Sequence, residues 1–306
     1  MPQATLARVG LDVGGTSIKA GRIDARGGIE ADLAAVDIPR GIDPEGFLRL
    51  LVSVARSLEA RDSIGIGIPG LIDRQFGGVR KSPNLPYLDQ LPLRARVAAE
   101  LGFDERSVHV ENDANAAALG EQWLGAGKGA ADLLLLTLGT GVGGGLILGG
   151  ELYVGDGMGG EIGHVVIAPD GQPCGCGSRG CLEQYASATA ARRRALERGL
   201  PVSAPGDLKL LAARARDGHA AERALLHEVG IDLGRGLGPV VCLLDLSCFV
   251  FGGGFSAALD VLEPGIRAGI RERSFGSRAE TTRLLRATLG PSAGWIGAAR
   301  LAHRAA

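Results

Sequence analysis

A strand, a glycine turn and a returning strand occur twice in this chain, and this repeat constrains the fold more than any other feature. Residues 6–13 predict an apolar strand that ends at Gly14-Gly15-Thr16, and residues 18–23 predict its return. About 125 residues later, residues 132–138 predict a strand, Gly139-Thr140-Gly141 a turn, and residues 144–148 the return. Such a repeat indicates two units of similar topology, and we expect them to face each other across a cleft.

The remaining segments alternate between helical and strand patterns, which predicts an α/β fold. The 306 residues suffice for two domains, and 45% hydrophobic with 22% charged residues is a globular composition. A strand at 248–251 ends at a third glycine cluster, Gly252-Gly253-Gly254. Other predicted strands cover 63–68 and 108–111, and predicted helices cover 44–60, 91–101, 114–124 and 220–244.

Charge and cysteine usage restrict the partners and the compartment. The net charge of −1 gives no reason to expect a nucleic acid or an anionic membrane as partner. Residues 133–150 carry no charge, but seven of them are glycine, so two buried strands fit better than a membrane helix. The N-terminus lacks a secretory pattern, and the odd number of cysteines does not resemble a disulfide framework, so we expect a cytoplasmic protein.

Each of the three glycine clusters follows an apolar strand and could present backbone N–H groups to phosphate oxygens. Tight hairpins without a ligand are the alternative. Two details favour a function for the first turn. Asp12 ends a strand, where a carboxylate is costly unless it binds a cation or hydrogen-bond donors. Thr16 and Lys19 then add a hydroxyl and a positive charge.

Two common nucleotide motifs are excluded by their context. Residues 65–70 and 139–144 both match Gly-x-Gly-x-x-Gly, but neither runs into the helix that a dinucleotide site requires. The Gly-x-x-x-x-Gly-Lys-Ser/Thr loop is absent from the chain. The turns therefore do not predict a nicotinamide enzyme or a P-loop protein.

Asp113 lies where a predicted strand passes into an alanine-rich helix. One interpretation is a helix N-cap. The other is a general base, because a carboxylate near a helix N-terminus is held ionised and can accept a hydroxyl proton. Phosphoryl transfer from ATP needs such an acceptor, with Mg²⁺ neutralising the phosphates. Asn112 could fix a hydroxyl of the acceptor by both accepting and donating, and the two interpretations of Asp113 are compatible.

His164, Cys174, Cys176 and Cys181 form a complete tetrahedral set for a structural zinc. Unrelated buried thiols or a disulfide are the alternatives. Glu161 and Glu183 flank this segment, so a metal loop would position two carboxylates for sugar hydroxyls.

The two turns together resemble the actin/hexokinase-type fold, a duplicated ribonuclease H-like α/β architecture with a cleft between two domains. Residues 160–164 and 173–183, with 12–19, 83–84, 111–115 and 139–145, resemble the ROK family of sugar kinases and repressors. That resemblance implies ATP phosphates on Gly14, Gly15, Thr16, Gly139, Thr140 and Gly141. It further implies that Asp12 acts through Mg²⁺, that Gly252, Gly253 and Gly254 lie near the adenosine, and that Asp113 is the base. The implied sugar ligands are Asn84, Asn112, Asp113, Glu161, His164 and Glu183.

We therefore expect an ATP-dependent hexose kinase, with glucose as the first candidate substrate and fructose, mannose, allose and N-acetylmannosamine as alternatives. A repressor would carry a DNA-binding domain ahead of residue 12, where no room is evident. A non-catalytic sugar-binding protein is the third hypothesis. The expected small domain is 1–115 with a C-terminal helix at 291–306, and the expected large domain is 116–290 with the zinc loop. The resemblance also implies a homodimer or homotetramer.

Overall fold

A computed structural model of the chain describes residues 7–82, 85–202 and 207–304. The strands are β1 (Arg8–Val13), β2 (Ser17–Ile23), β3 (Ile29–Asp37), β4 (Ile64–Ile68), β5 (Leu71–Asp73), β6 (Gly78–Lys81), β7 (Val108–Asn112), β8 (Leu133–Leu138), β9 (Val142–Leu148), β10 (Glu151–Tyr153), β11 (Cys248–Gly252) and β12 (Arg283–Arg286). The helices are α1 (Pro44–Ser57), α2 (Leu93–Leu101), α3 (Asp113–Leu124), α4 (Glu183–Ala186), α5 (Ala188–Glu197), α6 (Asp207–Arg216), α7 (Ala220–Leu244), α8 (Leu259–Arg273), α9 (Arg278–Thr281) and α10 (Ala293–Arg304).

The two large sheets have the same topology. The first has the strand order β3-β2-β1-β4-β7, and the second has β10-β9-β8-β11-β12. In each sheet the first three strands in chain order pair antiparallel with their neighbours. The fourth strand pairs parallel with the first, and the fifth pairs parallel with the fourth. The predicted duplicated α/β fold is confirmed, and each glycine turn connects the first two strands of its sheet.

The close fit of α10 on the first sheet explains two glycines inside β1 and β4. A Cβ atom at Gly10 would overlap the carbonyl oxygen of Trp295, and one at Gly65 would overlap that of Ala298. Only glycine lets the helix backbone approach the strands so closely. The C-terminal helix is therefore an integral layer of the N-terminal half.

Helices α3 and α10 lie against each other where the chain passes between the two sheets. A Cβ atom at Gly120 of α3 would overlap the carbonyl oxygen of Ala293, so the backbones touch. Glu121, fully buried on α3, accepts hydrogen bonds from the backbone N–H groups of Ala126 (2.8 Å), Thr288 (3.2 Å) and Leu289 (2.8 Å). The Glu121 carboxylate therefore binds both chain segments that pass between the two sheets.

The uncharged segment at 133–150 forms β8 and β9, as predicted. Among the described helices, none combines the length and the apolar character needed to cross a membrane.

Candidate active site

The first glycine turn is stabilised by backbone hydrogen bonds and is open on one side. Gly14 donates its N–H to the carbonyl of Ser17 (2.8 Å), and Ile38 donates to the carbonyl of Thr16 (2.8 Å). A Cβ atom at Gly15 would meet nothing within 4 Å. Among the described residues, no acceptor contacts the N–H groups of Gly15 and Thr16. Free N–H groups beside open space are what a phosphate group requires.

Asp12 stands at the base of this turn and is protonated more easily than an ordinary aspartate. Burial raises its pKa to about 6, and the nearby charge of Asp113 also raises it, while Lys19 opposes the shift. The Lys19 Nζ atom lies 3.9 Å from Oδ2 of Asp12. A Cβ atom at Gly294 of α10 would overlap the carboxylate, so α10 packs directly against it.

The second turn is one residue tighter than the first and has no charged residue of its own. Gly139 donates to the carbonyl of Gly141 (3.1 Å), and Ala188 donates to the carbonyl of Gly139 (2.9 Å). A Cβ atom at Gly139 would enter open space, whereas one at Gly141 would overlap Oε2 of Glu183. In the described chain, the N–H groups of Thr140 and Gly141 also lack an acceptor. This turn offers the same kind of cradle as the first.

A cavity of about 430 Å³ adjoins the second turn and the third glycine cluster. Gly253 there has a positive φ of 78°, and a Cβ at Gly254 would enter open space. The opposite wall is α6, which the sequence analysis did not assign to the site. No motif marks this helix, since its residues match an ordinary amphipathic surface helix. The lining residues from α6 are Leu208, Lys209, Ala212 and Arg216.

Arg216 fixes the outer edge of this cavity. Its guanidinium forms two 2.7 Å hydrogen bonds with the carboxylate of Asp260 and a third, also 2.7 Å, with the carbonyl of Ala257. These contacts tie α6 to the segment after the third glycine cluster, which gives the cavity two fixed walls.

Asn112, and not Asp113, caps α3. The Asn112 Oδ1 atom accepts from the N–H groups of Ala114 (2.8 Å) and Asn115 (3.2 Å), and its Nδ2 donates to the carbonyl of Gly70 (3.1 Å). The predicted N-cap at Asp113 is therefore wrong by one residue, because Asn112 still has extended backbone angles and Asp113 begins the helix. The amide of Asn112 keeps only one N–H for a ligand.

Asp113 is thereby left without a capping role. Its Oδ1 accepts from the N–H of Ala114 (2.9 Å), and burial raises the pKa of Asp113 above its usual range. The preceding Glu111 is buried and holds this junction through Asn115 Nδ2 (2.9 Å) and an ion pair with Arg74.

Glu161 extends the acidic cluster toward the cysteines. Burial raises the pKa of Glu161, and the charges of Asp113 and Glu183 raise it further, whereas His164 lowers it. Asp113, His164 and Glu183 therefore all lie within electrostatic range of Glu161. Asn84, the sixth predicted sugar ligand, lies outside the described residues.

His164 and the three cysteines lie together, with every ligand atom within 4.8 Å of the others. Nδ1 of His164 lies 3.7 Å from Sγ of Cys174, and the Sγ atoms of Cys176 and Cys181 are 3.6 Å apart. A tetrahedral zinc with Zn–S bonds of about 2.3 Å separates its ligands by about 3.7 Å. A disulfide needs about 2 Å between the sulfurs, and all five cysteines are free. The donor set and its spacing fit zinc.

Comparisons with known proteins agree with this geometry. The model of the ROK family matches residues 8–305. A glucokinase from Streptomyces coelicolor is 37% identical over 316 aligned residues, covering 96% of this chain and 97% of that protein. The ROK hexokinase of Thermus thermophilus superposes with a TM-score of 0.83 at 34% identity, covering 98% of each chain. A ROK glucokinase from Streptomyces griseus, solved with glucose and AMPPNP, gives 0.79 at 36% identity, covering 98% of this chain and all of that one. The chain belongs to the ROK family.

Proposed function

We propose that the protein is an ATP-dependent hexose kinase that converts glucose to glucose 6-phosphate. The observation that carries this proposal is the position of Asp113. Its buried carboxylate begins α3 and lies close enough to Asp12 and Glu161 to alter their pKa values. The relatives named glucokinase, and the S. griseus structure with glucose, support the choice of sugar.

The donor nucleotide would lie between the two turns. The N–H groups of Gly15, Thr16, Thr140 and Gly141 would hold the phosphates, and the cavity beside Gly252–Gly254 would hold the adenosine. Asp12 offers the hard oxygen ligand that Mg²⁺ takes in such sites. The bound ion would supply charge neutralisation for the phosphates. Binding a cation also keeps Asp12 ionised despite its burial.

The acceptor sugar would lie against Asp113. A carboxylate whose pKa is raised by burial is a stronger base than an exposed aspartate, and the N-terminus of α3 favours its ionised form. Asp113 would take the proton from the attacking hydroxyl. The remaining hydroxyls would be bound by Asn84, Asn112, Glu161, His164 and Glu183.

We also propose that His164, Cys174, Cys176 and Cys181 hold a structural zinc, which would fix the loop that carries Glu161 and Glu183. Replacing Cys176 with serine should remove the metal and lower the melting temperature together. Elemental analysis of the purified protein checks this directly, and a fully folded protein free of zinc would contradict it.

The domain boundaries, assembly and compartment remain proposals. The small domain would comprise 1–115 with 291–306, because α10 packs on the first sheet, and the large domain would comprise 116–290. We propose a cytoplasmic homodimer or homotetramer with no nucleic-acid or membrane partner. Leu243 in the last turn of α7 and Phe275 just beyond α8 are exposed and offer apolar surface to a second copy. Light scattering would measure the mass.

The deciding experiment is Mg-ATP-dependent ADP formation with a panel of free sugars, using Asp113→Asn as the control. Turnover of glucose that falls at least a hundredfold in the variant would support the proposal. Selective turnover of another hexose would keep the mechanism and correct the substrate. Sugar binding without turnover, in folded protein, would favour a non-catalytic sugar-binding protein.

A further inference from the structure

Glu183 lies at the junction between the cysteine loop and the second glycine turn. It is the first residue of α4 and follows the predicted metal ligand Cys181 by two positions. Its two carboxylate oxygens face different parts of the molecule. Oε2 accepts the N–H of Val142 (3.2 Å), the residue directly after the turn, and Oε1 lies 3.7 Å from Sγ of Cys174.

The packing around this carboxylate explains the glycine at position 141. Gly141 does not have a positive φ, so its backbone conformation does not require glycine. A Cβ atom there would instead overlap Oε2 of Glu183. The turn is therefore shaped to accept the glutamate, and the contact is specific to the second turn.

The chain segment behind Glu183 is rigidly attached to the cysteine loop. Leu182 is fully buried and donates its N–H to Val165 (2.9 Å), and Gln184 donates to the carbonyl of Cys181 (3.0 Å). Two residues beyond α4, Ala188 at the start of α5 donates to the carbonyl of Gly139 (2.9 Å). Two hydrogen bonds, from Val142 and from Ala188, thus join one short segment to both sides of the turn.

We infer that Glu183 is a positioning residue for the nucleotide turn, through which the metal loop sets affinity for the donor. This role is additional to the proposed contact of Glu183 with the sugar. It rests on the proposed kinase function, because the ligand of the turn is taken to be ATP. A fixed Cys181 would hold Glu183, and Glu183 would hold the Val142 N–H and the adjacent Gly141 in place. Loss of the metal would then weaken nucleotide binding even without sugar.

The test measures the dissociation constant of Mg-AMPPNP by calorimetry in the absence of sugar. Glu183→Ala should weaken binding by about fivefold or more, the size expected for losing a charged acceptor that organises backbone donors. Glu183→Gln should restore the affinity to within about threefold, because its amide oxygen can still accept from Val142. Glu161→Ala is the matched control: it removes a neighbouring carboxylate that does not contact the turn, and should alter sugar affinity alone.

The contribution of the metal is tested with Cys176→Ser, which removes an exposed thiol that does not contact Glu183. It should weaken AMPPNP binding by about threefold or more in the natural background and add nothing in Glu183→Ala, since coupled changes are not additive. If the variant unfolds, reversible removal and return of zinc in the unmutated protein gives the same comparison.

The results distinguish failure of the positioning role of Glu183 from failure of the proposed kinase function. Nucleotide affinity unchanged in Glu183→Ala, or equal losses from metal removal with and without Glu183, would overturn the positioning role and leave the kinase intact. Failure of the unmutated, zinc-loaded protein to bind AMPPNP at all would overturn the proposed function itself.

Discussion

The two glycine turns take equivalent places in the two sheets and differ in chemistry. Both connect the first two strands of topologically identical sheets. In both, the described part of the chain offers no acceptor to two N–H groups beside open space. The first turn is flanked by two charged residues, Asp12 before it and Lys19 after it. The second has none, and it is contacted by Glu183, 42 positions beyond Gly141. The duplicated fold therefore provides a phosphate-sized turn twice, whereas the charged residues and the side-chain contacts around the turn differ between the two copies.

The largest expected effect contrasts the two turns in catalysis. Asp12→Asn should lower kcat by about 100-fold or more, because the proposed Mg²⁺ ligand loses its charge. Thr140→Ala, which removes only a hydroxyl from the second turn, should lower kcat by less than about tenfold. Steady-state kinetics at saturating Mg-ATP and glucose measures both. Equal losses would show that the second turn carries as much of the chemistry as the first.

The next effect is on stability and depends on pH. Because the folded pKa of Asp12, about 6, lies above its ordinary value of 3.8, the folded state binds more protons between these values. Asp12 should therefore make the metal-free protein less stable as pH rises from about 4 to 6, with no further change above. Asp12→Asn should gain roughly 2–3 kcal/mol over the natural protein across that range, by urea unfolding without Mg²⁺.

Thr140→Ala is the control for this titration, since it changes no ionisable group. Its unfolding free energy should run parallel to that of the natural protein at every pH. A gain for Asp12→Asn that is already complete at pH 4 would mean that burial does not shift this carboxyl.

A smaller effect separates two glycines of the same turn. Gly141→Ala should lower the unfolding free energy by about 1 kcal/mol, because the new methyl group displaces Glu183 from the Val142 N–H. Gly139→Ala should leave stability within about 0.5 kcal/mol, since its Cβ would enter open space. Denaturant unfolding of the unligated proteins tests the pair, and equal losses would contradict the assigned contact.

The smallest expected effect concerns the wall of the cavity beside the second turn. Arg216→Gln should raise the KM for ATP by about two- to fivefold and leave kcat unchanged, because exposed ion pairs contribute little. Arg235→Gln is the matched control, since Arg235 pairs with Glu272 on α7 and α8, away from the cavity. An equal change in the control would assign the effect to general destabilisation.

The sequence by itself determined the features that depend on local spacing. Both turns, the strands around them, helix α7 and the grouping of His164 with three cysteines follow from residues that are neighbours along the chain. The metal set could be predicted because its four ligands fall within 18 residues. The N-cap at Asn112 was missed by one position, since a capping pattern does not distinguish adjacent polar residues.

Only the tertiary structure decided which distant segments meet. The edge strands β3 and β12 carry mostly exposed or half-buried residues and lack the apolar run that marks a buried strand. Helix α6 lines the cavity, Glu121 binds N–H groups 167 and 168 positions away, and Glu183 supports a turn that precedes it. Such contacts arise because packing brings together residues that no local periodicity relates, so the chain predicted the parts of the site and the fold decided how they are joined.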